Sequence, residues 1–390
     1  MRSSRNVTIL AISLFGLALG EELWQTYMPA YLTALGASGV AVGLFGSLRD
    51  FLDSAYQYPG GWLADRFGRR RALLTFTLIA IAGYAIYAIA PTWPIVFLGL
   101  FGVMAWKSGA FPTTFAVIGD SLPKNRRAVA FSVQSILIRL PRVIGAPLGG
   151  LLIVSAGMAA GIRTSLTITI VLALIVIVVQ FFGFREEGPA GPGAGDARFR
   201  EVLAGMPATL TRLLMAECLI RIGEAVAASF IILYVTEERH VSPAAYGMLY
   251  AVQQSVSIAS YFPGGRMADL SGRRPIVALT FVFFATFPLA VRFAPSVPWL
   301  VAAFVIGGLK EIGEPARKSL IVDFSPDDRR ARTVGVYYTI RNLLVVPAGA
   351  LGGLLWQRAR HLPLEVACAI GVVGVIVFLM TPDDRTSDVR

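Results

Sequence analysis

Charged side chains recur inside the long apolar stretches of this 390-residue chain. Glu21, Glu22, Asp50, Asp53, Lys107 and Arg142 do so in the first half, as do Glu217, Arg221, Glu224, Lys310, Glu311, Glu314 and Arg341 in the second. Arg49, Arg139 and Arg317 share the same setting. An ionised group in apolar surroundings is costly unless an opposite charge, a hydrogen bond or water meets it. Such residues either neutralise one another and hold helices together, or exchange those partners for a proton or a charged ligand. Glu217, Arg221 and Glu224 are spaced four and then three apart, on one helical face, and Lys310 and Glu314 are also four apart. Glu21 and Glu224 are separated by 203 residues, and so are Lys107 and Lys310. Each half thus sets an acid on its first apolar stretch and a lysine on its fourth. The register predicts two ion pairs, Glu21 with Lys107 and Glu224 with Lys310.

The halves are not equal. At an offset of 204, Asp50 and Asp53 align with Gln254 and Ser257, and at 203 Arg142 aligns with Val345. The first half therefore holds extra acids and an extra base. Acids in a partly dry setting titrate near neutrality, which makes Glu21, Asp50, Asp53 and Glu224 the leading proton carriers. Trp106, beside Lys107, and Tyr337 or Tyr338 are the aromatics expected to stack on an organic ligand. Other chemistries find no support. Two histidines and two cysteines make no metal cluster, no GxxxxGK[ST] sequence is present for a nucleotide, and no nucleophile–base constellation marks an enzyme. No cofactor is expected.

The elements that must position these residues are membrane helices. The chain is 55% hydrophobic and 15% charged, where a soluble protein is about a quarter charged. Twelve apolar stretches are long enough to cross a bilayer, at about 6–32, 38–62, 70–90, 94–118, 127–155, 162–184, 208–235, 243–266, 274–292, 297–322, 332–357 and 363–381. Their apolar character runs all round and is rich in glycine, which favours helices over the alternation of a barrel. The first stretch resembles a secretory signal but runs into Glu21 and Trp24 without a small-residue cleavage site, so it is read as a retained span. The net charge of +11 is placed asymmetrically. With both termini cytoplasmic, roughly twenty Lys and Arg fall on that side and roughly five on the other. The basic balance therefore reads as topology and not as a nucleic-acid surface.

A duplication organises the chain. Gly60 to Arg70, GGWLADRFGRR, returns as Gly264 to Arg274, GGRMADLSGRR. Asp120-Ser121-Leu122-Pro123 matches Asp323-Phe324-Ser325-Pro326, and Gly149-Gly150-Leu151-Leu152 matches Gly352-Gly353-Leu354-Leu355. The chain divides into residues 1–184, a Gly- and Pro-rich cytoplasmic linker at 185–207, and residues 208–390. In these features it resembles the transporters of the major facilitator superfamily over essentially its whole length. The family's loop signature, G-x-x-x-D-R-x-G-R-R, is met by Gly61, Asp65, Arg66, Gly68, Arg69 and Arg70. The second copy keeps Gly265, Asp269, Gly272, Arg273 and Arg274 but has Leu270 in place of a base.

The resemblance implies an all-α integral membrane protein of twelve transmembrane helices, built as two pseudo-symmetric six-helix bundles around a central cavity. It implies alternating access, with Asp65, Arg69, Asp269 and Arg273 as a cytoplasmic gate and Asp120 and Asp323 as partners for its bases. Pro141 to Gly150 is similar to the antiporter signature of the family's drug exporters, but Pro141 replaces its first glycine. Gly99 and Leu100 stand where that group has an early arginine on the fourth span. The reading is a proton-coupled secondary transporter of a small charged or zwitterionic organic solute, with efflux by antiport favoured. The alternatives are a symporter or facilitator of an anionic metabolite, clamped by Lys107, Arg142, Lys310 and Arg341, and, in another class, a lipid flippase or a non-transporting sensor. Expected partners are the substrate, protons and the lipid bilayer, with no nucleic acid. The protein is expected to be a monomer in the plasma (inner) membrane.

Overall fold

The computed structural model describes residues 2–109, 124–184, 203–326 and 330–380. Among them the chain is helical and has no strand. The helices are α1 (Arg2–Glu22), α2 (Met28–Ala34), α3 (Gly39–Phe67), α4 (Arg69–Ile89), α5 (Trp93–Met104), α6 (Lys124–Ala156) and α7 (Met158–Gly183). The second half follows with α8 (Ala208–Leu233), α9 (Pro243–Ser271), α10 (Arg273–Phe293), α11 (Val297–Leu309), α12 (Glu314–Asp323), α13 (Arg330–Val345), α14 (Ala348–Arg358) and α15 (Leu362–Leu379).

Seven described segments are long and apolar enough to cross a membrane: 69–89, 139–156, 158–183, 208–238, 273–293, 333–358 and 362–379. Among the remaining expected spans, several carry charges or are interrupted beside them, 243–266 forms a continuous helix diluted by Gln253, Gln254 and serines, and 94–118 runs beyond the described residues at 109. α3 contains Arg49, Asp50 and Asp53 within its 29 residues. The first span, expected as one stretch, ends at Glu22 and resumes at Met28 through a 3-10 turn at Gln25–Tyr27. Pro29 lacks the N–H that a continuous helix would use there, and it stands at the start of α2 where none is needed. Both fourth spans depart from regular α-helix at the lysine. A π-helical turn, Ala105–Gly109, holds Lys107, and non-helical residues 310–313 separate α11 from α12 at Lys310.

The duplicated turn is built identically in each half. Gly68 (φ 88°) and Gly272 (φ 90°) adopt the left-handed region between α3 and α4 and between α9 and α10. A side chain at either position would be strained, which explains a glycine in both copies.

The chain forms two compact units. One gathers Met1–Ser38, Leu48–Ala194 and Val241–Ala251, and the other Gly39–Ser47, Gly195–His240 and Val252–Arg390. Each unit thus includes a short helical segment contributed by the opposite half of the sequence. In the first unit α1 packs on α6 and α7, and α4 packs on α5 and α7. In the second, α8 is central, packed on α10, α13, α14 and α15. Its core joins Leu213, Ile220, Phe281, Leu320, Tyr337 and Phe378. Outward-facing residues such as Leu98, Phe182, Phe262 and Leu270 are exposed and apolar, as a lipid-facing surface requires.

Candidate functional site

In the first unit two carboxylates close α1. Acids at a helix C-terminus face the negative end of its dipole, so both need partners. Glu21 accepts a hydrogen bond from the Tyr84 hydroxyl at 2.5 Å, and Glu22 meets Arg142 at 3.1 Å. Trp24 anchors this end by donating to Thr169 Oγ1 at 3.1 Å, while its ring lies edge-on to Tyr84 and Tyr87. Thr169 in turn donates to the Gly20 carbonyl at 2.7 Å. Lys107 supplies the largest opposing charge acting on Glu21. Among the described residues, however, no direct ion pair joins these two, so the expected Glu21–Lys107 contact is replaced by Tyr84. Trp106 is buried beside it on the same π-turn. Asp53 accepts from Ser108 at 2.5 Å, and Asp50 pairs with the adjacent Arg49 at 3.1 Å.

In the second unit the charges form one alternating series. Lys310 meets Glu224 at 2.6 Å, and Glu224 meets Arg221 at 2.8 Å. Arg221 approaches Glu314 at 3.9 Å, and Glu314 meets Arg317 at 2.5 Å. Arg317 then binds Glu217, which also takes Arg341 at 2.8 Å and the Tyr337 hydroxyl at 2.5 Å. Glu217 and Arg317 are only 1% and 2% exposed, so this end of the series is dry, whereas Lys310, Glu224, Arg221, Glu314 and Arg341 are only partly buried; the members satisfy one another. Aromatic faces cover the bases. Phe284 lies under both Arg221 and Lys310, and Tyr338 lies under Arg341. Glu311 stands beside the series and accepts from Tyr261 at 3.3 Å.

The helices explain the series. Arg221 and Glu224 lie one turn apart on α8, and Glu314 and Arg317 one turn apart on α12, so each pair forms locally. Glu314 also sits in the first turn of α12, where an acid is favoured by the helix dipole. The helix break at 310–313 lets Lys310 leave the α11 axis and reach Glu224.

The duplicated turn carries a second set of contacts. Arg273 binds Asp323 at the end of α12, and both are about half exposed. Arg274 donates to the Leu379 carbonyl at 2.8 Å, and its counterpart Arg70 donates to the Phe181 carbonyl. Each copy thus satisfies carbonyls left open at the C-terminal end of its half's last helix. Arg69 is buried and Asp269 exposed. Asp120 lies outside the described residues, as does the side chain of Asp65.

Sequence reasoning gave two residues no place in the site. Arg317, noted only as a further charge in an apolar stretch, bridges Glu217 and Glu314, and its i,i+3 spacing from Glu314 was the available signal. Tyr84 is uncharged and carries no pattern that would mark it.

The comparisons with known proteins agree with this architecture. The family model described as Major Facilitator Superfamily matches residues 10–212 and 213–390. A multi-drug resistance efflux pump PmrA homolog of Lactococcus lactis is similar at 26% identity, across 96% of this chain and 94% of its own. An uncharacterised MFS-type transporter of Methanocaldococcus jannaschii is 20% identical, with 96% of this chain and 94% of that protein covered. Among solved structures, the nucleoside transporter NupG superposes with a TM-score of 0.82 at 12% identity, covering 97% of this chain and all of that one. With apolar helical spans, a duplicated turn and a family match over both halves, the chain is a multi-pass membrane protein and belongs to the Major Facilitator Superfamily of transporters.

Proposed function

We propose that the protein is a proton-coupled secondary transporter that exports a small charged or zwitterionic organic solute by alternating access. The observation that carries this reading is the alternating series Lys310–Glu224–Arg221–Glu314–Arg317–Glu217–Arg341, buried at Arg317 and Glu217 and partly buried elsewhere. A helix bundle held only by packing has no use for so many charges set inside apolar stretches. A carrier does, because a proton or an ionic ligand can exchange with one partner and shift the balance between two states. Export is favoured by the similarity to the Lactococcus relative, a multi-drug resistance efflux pump PmrA homolog. The ligand-facing residues in this reading are Glu21, Glu22, Asp50, Asp53, Trp106, Lys107 and Arg142 of the first half. In the second half they are Glu217, Arg221, Glu224, Lys310, Glu311, Glu314, Tyr337 and Arg341.

The proposal includes two bundles, residues 1–184 and 208–390, with 185–207 as a tether and both termini cytoplasmic in the plasma membrane. Arg273 and Asp323 serve as the gate, with Arg69, Asp65, Asp120 and Asp269 in the corresponding roles. A second reading has one specific support. The series holds four bases against three acids, an excess that suits an anionic substrate.

The test is a ligand-panel thermal shift in detergent at about pH 5.5 and about pH 8. A ligand at a hundred times its dissociation constant adds about 2.7 kcal/mol to the bound state. A stabilising organic cation or zwitterion whose effect changes with pH supports coupled export. Anions alone would favour the second reading, and lipids alone would overturn both in favour of a flippase.

A further inference from the structure

Three carboxylates are buried among the described residues, Glu21, Glu22 and Glu217. Glu22 is met by Arg142, and Glu217 by Arg317, Arg341 and Tyr337. Glu21 differs: its direct hydrogen bond comes from a neutral group, the Tyr84 hydroxyl at 2.5 Å. Glu224, its counterpart in the second half, meets two cations, Arg221 and Lys310.

The difference has a chemical consequence. Protonating a carboxylate that meets a cation destroys an ion pair and leaves the cation uncompensated. Protonating one that meets a hydroxyl leaves no contacting cation behind, because the same O–H serves a carboxylate oxygen or the carbonyl of the neutral acid. We infer that Glu21 is the acid that takes up and releases the coupling proton, that Tyr84 is its positioning residue, and that Glu224 stays ionised throughout. This inference rests on the proton-coupled reading above.

The surroundings of Glu21 fit the role. The groups facing it are Glu22 on its own helix, Tyr84 and Tyr87 from α4, Lys107 from the π-turn and Arg142 from α6. Arg142 is engaged by Glu22. Lys107 acts on Glu21 without touching it, so a change of charge at Glu21 is felt first at Lys107. That links the proton to a cation available for a ligand. The sequence also differs between halves in the required sense. α4 and α10 are both 21 residues long and offset by 204, so Tyr84 corresponds to Pro288, which offers no donor. At the offset of 203 that relates Glu21 to Glu224, Arg221 corresponds to Ala18. The second half has lost the hydroxyl and gained a guanidinium.

Infrared difference spectra of the reconstituted protein between about pH 5 and about pH 9 read the C=O stretch of protonated carboxyl groups. The expected result is one titrating band in the wild type, absent from Glu21→Gln and unchanged in Glu224→Gln. In Tyr84→Phe, which keeps the ring and removes only the hydroxyl, the band should move to higher frequency with a shifted midpoint. A band that persists in Glu21→Gln, or vanishes in Glu224→Gln, overturns the assignment. A Tyr84→Phe band at the wild-type frequency and midpoint overturns the positioning role. Should Glu21→Gln not reconstitute, Glu21→Asp replaces it: the band moves if Glu21 is its source, and an unmoved band overturns the assignment. A wild type with no titrating carboxyl at all overturns the proton-coupled reading itself, and is thereby distinct from a band that belongs to another acid.

Discussion

Arg317 shows most clearly what a single side chain contributes in this chain. It is 2% exposed and bound to Glu217 and Glu314, so its removal leaves two carboxylates in a dry environment without their shared cation. Breaking a buried pair from one side costs about 3–5 kcal/mol. Arg317→Ala should therefore lower the thermal unfolding temperature in detergent substantially; a cost under about 1 kcal/mol would mean that the series is well hydrated. The Glu224–Lys310 contact offers a different test. Glu224→Lys and Lys310→Glu should each reduce folded yield, and the double exchange should recover it, as measured by monodisperse protein after extraction. Yield that stays low in the double variant would sink the pairing. This contact was legible in the sequence because both partners recur in the other half at one offset. The substitution of Tyr84 for Lys107 as the donor to Glu21 was not, since a tyrosine in an apolar helix carries no signal of what it touches.

At the level of elements, several of the candidate residues lie where helices stop or change type. Glu21 and Glu22 end α1, Lys107 occupies a π-turn, Lys310 opens the gap before α12, and Glu314 begins that helix. Irregular backbone frees side chains from the helix axis and is tolerated at membrane depth where protein surrounds it. The sequence marked these positions by charge but not by break, because the apolar windows continue across them. The duplicated turn was fully legible, and it gives a plain prediction. Gly272→Ala forces a Cβ into the left-handed region at φ 90°, at a cost of about 1–2 kcal/mol. The same substitution at Gly265, inside α9 where a Cβ meets nothing within 4 Å, should instead stabilise by up to about 1 kcal/mol. Equal thermal shifts in the two variants would contradict the backbone explanation.

For the whole molecule, the contact between Arg273 and Asp323 separates stability from switching. Both partners are about half exposed, so the pair contributes only about 0–1 kcal/mol to folding. Arg273→Ala and Asp323→Asn should leave the unfolding temperature nearly unchanged. If the pair is a gate, both should nevertheless alter the rate of solute movement in liposomes, by the same factor and without additivity in the double variant. Unaltered transport in both would reduce the contact to a topology signal. The compact units themselves were not legible as such. Gly39–Ser47 and Val241–Ala251 each join the unit built mainly from the other half of the chain, and no linker or composition shift marks these exchanges.

The sequence alone determined that this is a duplicated membrane protein and which positions of its apolar stretches carry charge. Those properties are local: hydropathy, glycine turns and repeat offsets are written along single helices. Only the tertiary structure decided which acid meets a cation and which meets a hydroxyl. That depends on the crossing of helices far apart in sequence, α1 on α4 for Glu21 and α8 on α12 for Glu217. At such crossings a single donor, a tyrosine in one half and a lysine in the other, separates two acids that the repeat had made look alike.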